Sequence, residues 1–435
     1  MCADEIGVTI RRRSPALISA IDPVVFCKLN PIARTAFAFL VTCAALSTSA
    51  ADLRWHSIVT GGEIAGAVVL PAATGSNQAL ATVVYLKNLS APRVGQEPDE
   101  TIIADLVKQG HLVLVLDYER HPRAIAPDMN ADLLKLRRDI ADAKNKTLLT
   151  NFKIDVNHLF ILPEGFRVKR DVEFARDGAR VLAMDIMYPS KPRQPVPVLM
   201  EITCDNVNRM GSASLLFCHD TLLEGGQVAG FAAAMIDHPV PPPYKGIDDP
   251  MPQNVHRLKA AVRTLRAKGA ELGFNGQIGA IGFSRGGPMA ALLAVIGDRS
   301  DLEPDGPNRQ ISSAIQAALI HGGRYDYLKL TPDDSMYKRF EKAWGPRDAN
   351  AETWAMHGAA KYLSKDAAPM FLSTSDAESK EYRDQLGVFA KELQEAGVEH
   401  VYKEDADGRG HRVTTDPARL GEIYQFFRSK LEAKG

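Results

Sequence analysis

The feature that most constrains this chain is a short turn, Gly282-Phe283-Ser284-Arg285-Gly286, set between an apolar run at 278–281 and a Gly/Ala/Leu-rich stretch at 286–295. The apolar run reads as a buried strand and the small-residue stretch as a helix packed close against it. A strand that turns directly into a helix leaves the central side chain exposed at the top of a sheet. Glycines are needed there because the turn is strained and bulky neighbours would strike the adjoining elements. The bare pattern is short and arises by chance in many chains; the strand before it and the helix after it give it weight. Helix-start amides just beyond Ser284 are also suited to stabilising an anion.

The rest of the chain supplies a sheet for such a turn. From Arg170 onward, apolar runs at 181–189, 196–202, 231–236, 278–283, 314–320, 369–372 and 400–403 alternate with helical segments at 253–272, 286–295, 380–396 and 416–431. That alternation predicts a mostly parallel, doubly wound α/β sheet covered on both faces. Within 253–272, Val255, Leu258, Val262 and Leu265 recur at helical spacing. Residues 324–366, polar and aromatic, read as an inserted cap within a domain spanning 168–435. Residues 53–166 also alternate, and at an offset of 120 they echo the C-terminal portion of the chain. Asp117, which ends one apolar run, falls on Asp237, and 159–162 fall on 279–282. On that register Glu164 stands where Ser284 stands. The stretch 52–167 is therefore expected to be a degenerate α/β half-repeat lacking the serine, although generic strand–helix patterning would produce the same echo.

Composition narrows the partners. The formal net charge is −1 over 435 residues, so no excess basic field exists to hold nucleic acid or an anionic membrane. Residues 1–51 read as an extension and signal peptide. Lys28 and Arg34 precede an apolar or small run at 35–46, followed by Thr48-Ser49-Ala50-Ala51, which suits signal-peptidase cleavage. That run is shorter than the roughly 20 residues a bilayer span requires. A secreted or periplasmic protein without a stable membrane anchor is expected, and the unusual stretch 1–27 suggests a start site assigned too early. Cleavage would leave Cys204 and Cys218, able to pair if their Cα atoms come close. His219-Asp220, Asp237-His238 and Asp248-Asp249 have no recognisable metal-ligand spacing, so neither a metal nor a cofactor is expected.

A serine hydroxyl needs a neighbouring base to act as a nucleophile near neutral pH. After such a turn the partners come in the order serine, acid, histidine. Four histidines lie beyond Ser284: His321, His357, His400 and His411. His411 sits in the flexible Asp407-Gly408-Arg409-Gly410 loop, after the last strand and before the last helix, from which an imidazole can return over the turn. The acid should come after the strand 369–372; Asp376 is best placed, with Glu378 the fallback. Asp405 and Asp407 are read as shaping the histidine loop. Oxyanion donors are expected at the Arg285 amide and in the loop 204–209 around Asn206. Tyr244, after the proline run 239–243, is a candidate for lining a pocket.

Together these residues resemble the bacterial esterase/lipase branch of the α/β-hydrolases, which includes acetyl and feruloyl esterases, over Arg170 to Leu431. Besides the turn, Trp344-Gly345, Tyr362-Leu363, Ala368-Pro369-Met370-Phe371 and Gly410-His411 carry the likeness. The resemblance implies the α/β-hydrolase fold. It also implies a serine carboxylic-ester hydrolase in which Ser284, Asp376 and His411 work through an acyl-enzyme, on acyl or uronoyl esters of polysaccharides. Two departures stand out: the 204–209 loop lacks a His-Gly-Gly signature, and Ser373-Thr374-Ser375-Asp376 replaces the usual His-Gly-x-x-Asp approach. The run Gly282 to Gly287 is also similar to the glucuronoyl-esterase elbow, which implies Arg285 as a second electrostatic donor; the alternative is an arginine that anchors the elbow by a salt bridge. Two other functions remain open: a peptidase or acyl transferase with the same triad, and a non-catalytic binding protein on a hydrolase scaffold.

Overall fold

The computed structural model describes residues 50–71, 79–89, 98–121, 153–202, 230–239, 253–302, 308–414 and 416–432, with five further positions between 132 and 139. The chain divides into two compact units, one built mainly from residues up to Arg167 and the other mainly from Val168 onward.

The first unit is a five-stranded sheet in the order β1-β2-β4-β3-β5. Its strands are β1 (Ala50–Ser57), β2 (Gly62–Val69), β3 (Ala79–Lys87), β4 (Leu112–Asp117) and β5 (Lys153–Pro163). β1 and β2 form an antiparallel pair, β2 and β4 are antiparallel, and β3 runs parallel to both β4 and β5. Helix α1 (Asp99–Lys108) connects β3 to β4 and buries Ile102, Ile103, Leu106 and Val107. Those residues recur at three- and four-residue spacing, which puts them on one helical face.

The second unit is an eight-stranded sheet in the order β13-β12-β11-β10-β8-β9-β7-β6. Its strands are β6 (Phe166–Asp177), β7 (Arg180–Pro189), β8 (Val196–Ile202), β9 (Ala232–Ile236), β10 (Phe274–Phe283), β11 (Ala317–His321), β12 (Met370–Ser375) and β13 (His400–Asp405). Every neighbour from β9 through β13 pairs parallel, while β7 pairs antiparallel to β9. Strands buried on both faces need apolar residues at nearly every position, and β8 and β9 are buried throughout.

Helices α2 (Gln253–Ala267), α4 (Gly286–Ile296) and α7 (Lys380–Glu395) cover one face of this sheet, where Leu258, Val262, Leu292 and Phe389 meet Ile278, Ala280 and Ile320. On the other face α8 (Pro417–Leu431) packs Leu420, Ile423, Tyr424 and Phe427 against Leu199, Ile281, Leu319 and Phe371. Residues one apart on β10, Ala280 and Ile281, thus serve opposite cores, as the strand period of two demands. The segment between β11 and β12 carries α5 (Tyr337–Trp344) and α6 (Ala351–Met356) around a small cluster of Leu330, Phe340 and Trp354.

Two local expectations change. The helix expected over 253–272 ends at Ala267 and resumes as the single turn α3 (Gly269–Leu272). Gly269 and the left-handed Gly273, φ +74°, bracket that turn and lead the chain into β10. The first unit opens on an antiparallel strand pair rather than on strand–helix alternation.

The two sheets share a strand order: β1-β2-β4-β3-β5 matches β6-β7-β9-β8-β10. Their registers also agree. Thr82 pairs with Leu112 and Val198 with Ala232, so offsets of 116 and 120 carry one pair onto the other. The strand ends differ. β10 turns into helix α4 at Ser284, whereas β5 passes through Glu164 and Gly165 into β6. Glu164 accepts a hydrogen bond from the Asn88 amide at 3.0 Å.

Candidate active site

The turn after β10 is strained where the sequence indicated. Ser284 has φ +55°, in the left-handed region that side chains other than glycine avoid at a cost of about 1–2 kcal/mol. Hydrogen bonds hold it there: the Ser284 amide donates to the His321 carbonyl at 3.0 Å, and the Gly287 amide donates to the Ser284 carbonyl at 3.1 Å. The flanking glycines are obligatory for a measurable reason. A Cβ on Gly282 would lie 2.2 Å from the Gly286 carbonyl oxygen, and one on Gly286 would lie 2.0 Å from the Ile202 carbonyl oxygen.

The His411 imidazole reaches the serine. Its Nε2 is 3.0 Å from Ser284 Oγ, and its Nδ1 is 2.6 Å from Glu378 Oε2. The 2.6 Å separation is short enough for a charge-assisted bond, which leaves Nε2 free to accept the serine proton. The second Glu378 oxygen accepts the Ser379 amide at 2.7 Å, so the carboxylate is oriented at both ends. Glu378 is 4% exposed, and desolvation strengthens its attraction for an imidazolium.

Asp376, the favoured acid, sits elsewhere. β12 ends at Ser375, and the next side chain emerges exposed, with Asp376 Oδ1 accepting the Gly408 amide at 2.9 Å. The backbone then turns, Glu378 N–H bonding to the Ser375 carbonyl at 3.0 Å, and this brings the fallback Glu378 under the imidazole. Asp376 therefore props the loop that carries the histidine. Arg409 fastens the same loop: its guanidinium donates to Asp405, Asp407 and the Thr374 carbonyl. Asp405 and Asp407 do shape that loop.

Arg285 is exposed directly after the serine, at the N-cap of α4. Asn206, Cys204, Cys218, Tyr244 and the segment 1–49 lie outside the described residues. Among the described residues, no three His, Cys, Asp or Glu side chains converge as metal ligands, and no helix is long and apolar enough to cross a membrane.

Two further residues belong to the site without any motif having marked them. Gly322, φ +53°, comes just after β11; a Cβ there would stand 2.8 Å from His411 Cε1 and 3.3 Å from Glu378 Oε2, wedging the pair apart. His321 is buried with its Nε2 3.9 Å from Glu378 Oε2. Burial, reinforced by the charges of Arg409 and His411, pushes its pKa down to about 3, so it stays neutral. The His321-Gly322-Gly323 run after a buried strand was the available signal for both.

Residues 184–390 match the model of the BD-FAE family. Among solved structures the chain is similar to a truncated carbohydrate esterase from gut microbiota, at 20% identity and a TM-score of 0.50, over 60% of this chain and 95% of that one. It is also similar to a bifunctional GH43-CE protein of Bacteroides eggerthii, at 23% identity and a TM-score of 0.49, over 60% and 38% of the two chains. A third similar structure is an acetyl ester-xyloside bifunctional hydrolase from Caldicellulosiruptor lactoaceticus, at 18% identity and a TM-score of 0.47, over 62% and 97%. No curated protein matches the chain significantly. The mostly parallel sheet, the strained serine turn between β10 and α4, and the family model matched over residues 184–390 give this chain an α/β-hydrolase fold.

Proposed function

We propose that the chain hydrolyses carboxylic esters through an acyl-enzyme on Ser284. The observation that carries this reading is the continuous hydrogen-bonded line from Ser284 Oγ through His411 to Glu378, with the serine held at a left-handed elbow. Ser284 Oγ attacks the ester carbonyl carbon while its proton passes to His411 Nε2. Glu378 keeps the other ring nitrogen protonated and balances the imidazolium charge. The oxyanion takes backbone amides at the start of α4, with that of Arg285 first, and the exposed guanidinium beside it adds positive charge. Collapse of the tetrahedral species breaks the bond to the alkoxide, which receives the proton from His411. Water then repeats the sequence on the acyl-enzyme and releases the acid.

Esters borne by polysaccharides are the substrate class we favour. The BD-FAE match and the fold shared with a carbohydrate esterase support it. The apolar segment at 35–46, followed by small residues, supports export to where such polymers lie. In this reading residues 52–167 form a half-repeat that packs without reacting, 168–435 form the catalytic domain, and 324–366 cap it.

The test is a screen of purified protein against acetyl, feruloyl and glucuronoyl esters and matched amides, with fluorophosphonate labelling read by mass spectrometry. Turnover of at least one ester class, with an adduct on Ser284 and none in Ser284→Ala, is the expected result. An unlabelled wild-type protein that turns over no ester refutes it.

A further inference from the structure

The in-plane contacts of His411 are Ser284 and Glu378; two aromatic rings also lie against its faces. Phe283, the residue before the serine, has its ring centroid 4.8 Å from that of the imidazole at an interplanar angle of 32°. Tyr382, in the first turn of α7, lies 4.9 Å away at 20°. Phe283 belongs to the elbow and must be nearby. Tyr382 comes from a different element, and neighbouring groups hold it in place. The Arg324 guanidinium stands 5.0 Å from its ring centroid. That guanidinium is fixed in turn by Asp334, which accepts from Nε at 2.9 Å and from Nη2 at 2.8 Å in a buried pair. Next to Tyr382, Glu381 accepts the Ser335 amide at 2.8 Å, a second tie between α7 and the 324–344 segment.

We propose that Tyr382 is a positioning residue for the reaction: its ring keeps the His411 imidazole in the plane that joins Ser284 to Glu378 and steadies the ring while it is positively charged. The proposal rests on the serine-hydrolase reading above. His411 rides on a loop rather than on a strand or helix, so two hydrogen bonds along its edges leave it free to tilt about the line between them. The near-parallel Tyr382 ring, with the tilted Phe283 ring beside it, opposes that tilt, and a small misalignment of a catalytic group is costly. When the serine proton arrives, the imidazole becomes a cation, which aromatic faces attract. The proton then leaves with the alkoxide and the attraction relaxes, so the benefit falls on the charged stage of the reaction. Among the described residues, the other charged or titratable groups near the imidazole include Glu378 from the turn after β12, His321 from β11 and Arg409 from its own loop. Each of these is left intact by a change at Tyr382.

The experiment compares wild type, Tyr382→Phe and Tyr382→Leu for kcat and KM on p-nitrophenyl acetate, for the rate of fluorophosphonate labelling of Ser284, and for Tm. Tyr382→Leu is expected to lower kcat and the labelling rate by the same factor, about five- to thirtyfold, with KM within about twofold. That corresponds to roughly 1–2 kcal/mol at 1.36 kcal/mol per tenfold. Tyr382→Phe, which keeps the ring, is expected to restore both rates to within about twofold. If the leucine variant melts early, Tyr382→Met fills the volume without a ring and is held to the same numbers. Wild-type kcat in the ringless variants overturns the proposal. So does a phenylalanine variant as slow as the leucine one, or a rise in KM with kcat unchanged. A wild-type protein that is never labelled at Ser284 refutes the underlying function, whereas normal labelling with an indifferent Tyr382 refutes this inference alone.

Discussion

Replacing Glu378 by glutamine should separate the two carboxylates that compete for the role of acid. Glu378 Oε2 lies 2.6 Å from His411 Nδ1 in a site where the glutamate is 4% exposed. Two unit charges about 4 Å apart at an effective dielectric constant near 20 attract by about 4 kcal/mol, and that attraction exists only while the imidazole is protonated. Its loss raises the barrier without a comparable effect on substrate binding, so kcat should fall about a thousandfold at 1.36 kcal/mol per decade. A glutamine amide that donates to Nδ1 would also drive the proton to Nε2, the wrong tautomer for a base, and push the loss toward about ten-thousandfold. Asp376→Asn retains an oxygen to accept the Gly408 amide, so its cost should stay below about threefold. The assay is steady-state hydrolysis of p-nitrophenyl acetate with Tm monitored in parallel. Equal losses in the two variants, or a Glu378→Gln enzyme within tenfold of wild type, would refute the assignment.

The same geometry sets the outcome of three other perturbations. Because Ser284 has φ +55°, Ser284→Gly should be more stable than Ser284→Ala by about 1 kcal/mol in urea melts, both being inactive. Gly322→Ala, whose new Cβ would stand 2.8 Å from His411 Cε1, should abolish ester turnover while circular dichroism remains unchanged. Burial holds His357 at a pKa of about 4, below its unfolded value near 6.5. The unfolded chain therefore binds the proton first, and stability present above pH 6.5 drains away as the pH falls toward 4. In His357→Gln the loss of unfolding free energy between pH 6 and pH 5 should be about 1 kcal/mol smaller than in wild type, as measured by denaturant melts at each pH.

The most local chemistry was the most legible in the sequence. A turn such as Gly282 to Gly286 is dictated by neighbours within a few residues, so two glycines, a preceding apolar run and a following small-residue stretch sufficed to indicate the strand, the helix and the serine turn between them. The succession of strands and the covering of both sheet faces came from periodicity, because burial on two sides demands continuous apolar runs. The position of the His411 loop was also readable, since a loop after the last parallel strand opens at the same sheet edge as the serine turn.

Which carboxylate meets His411 could not be read in this way. Asp376 and Glu378 are two residues apart after the same strand, and what separates them is the direction in which the backbone turns after Ser375. That direction depends on contacts with Asp405 and Gly408, some thirty residues further along the chain. Tyr382 was hidden for the same reason, and His321 and Gly322 were marked only by the run at the end of β11: each matters through an atom belonging to another segment. The sequence by itself determined the elements and the turn that carries Ser284, because these arise from short-range sterics and burial. Only the tertiary structure decided which carboxylate and which rings meet the imidazole, because those contacts join segments that nothing but the folded sheet brings together.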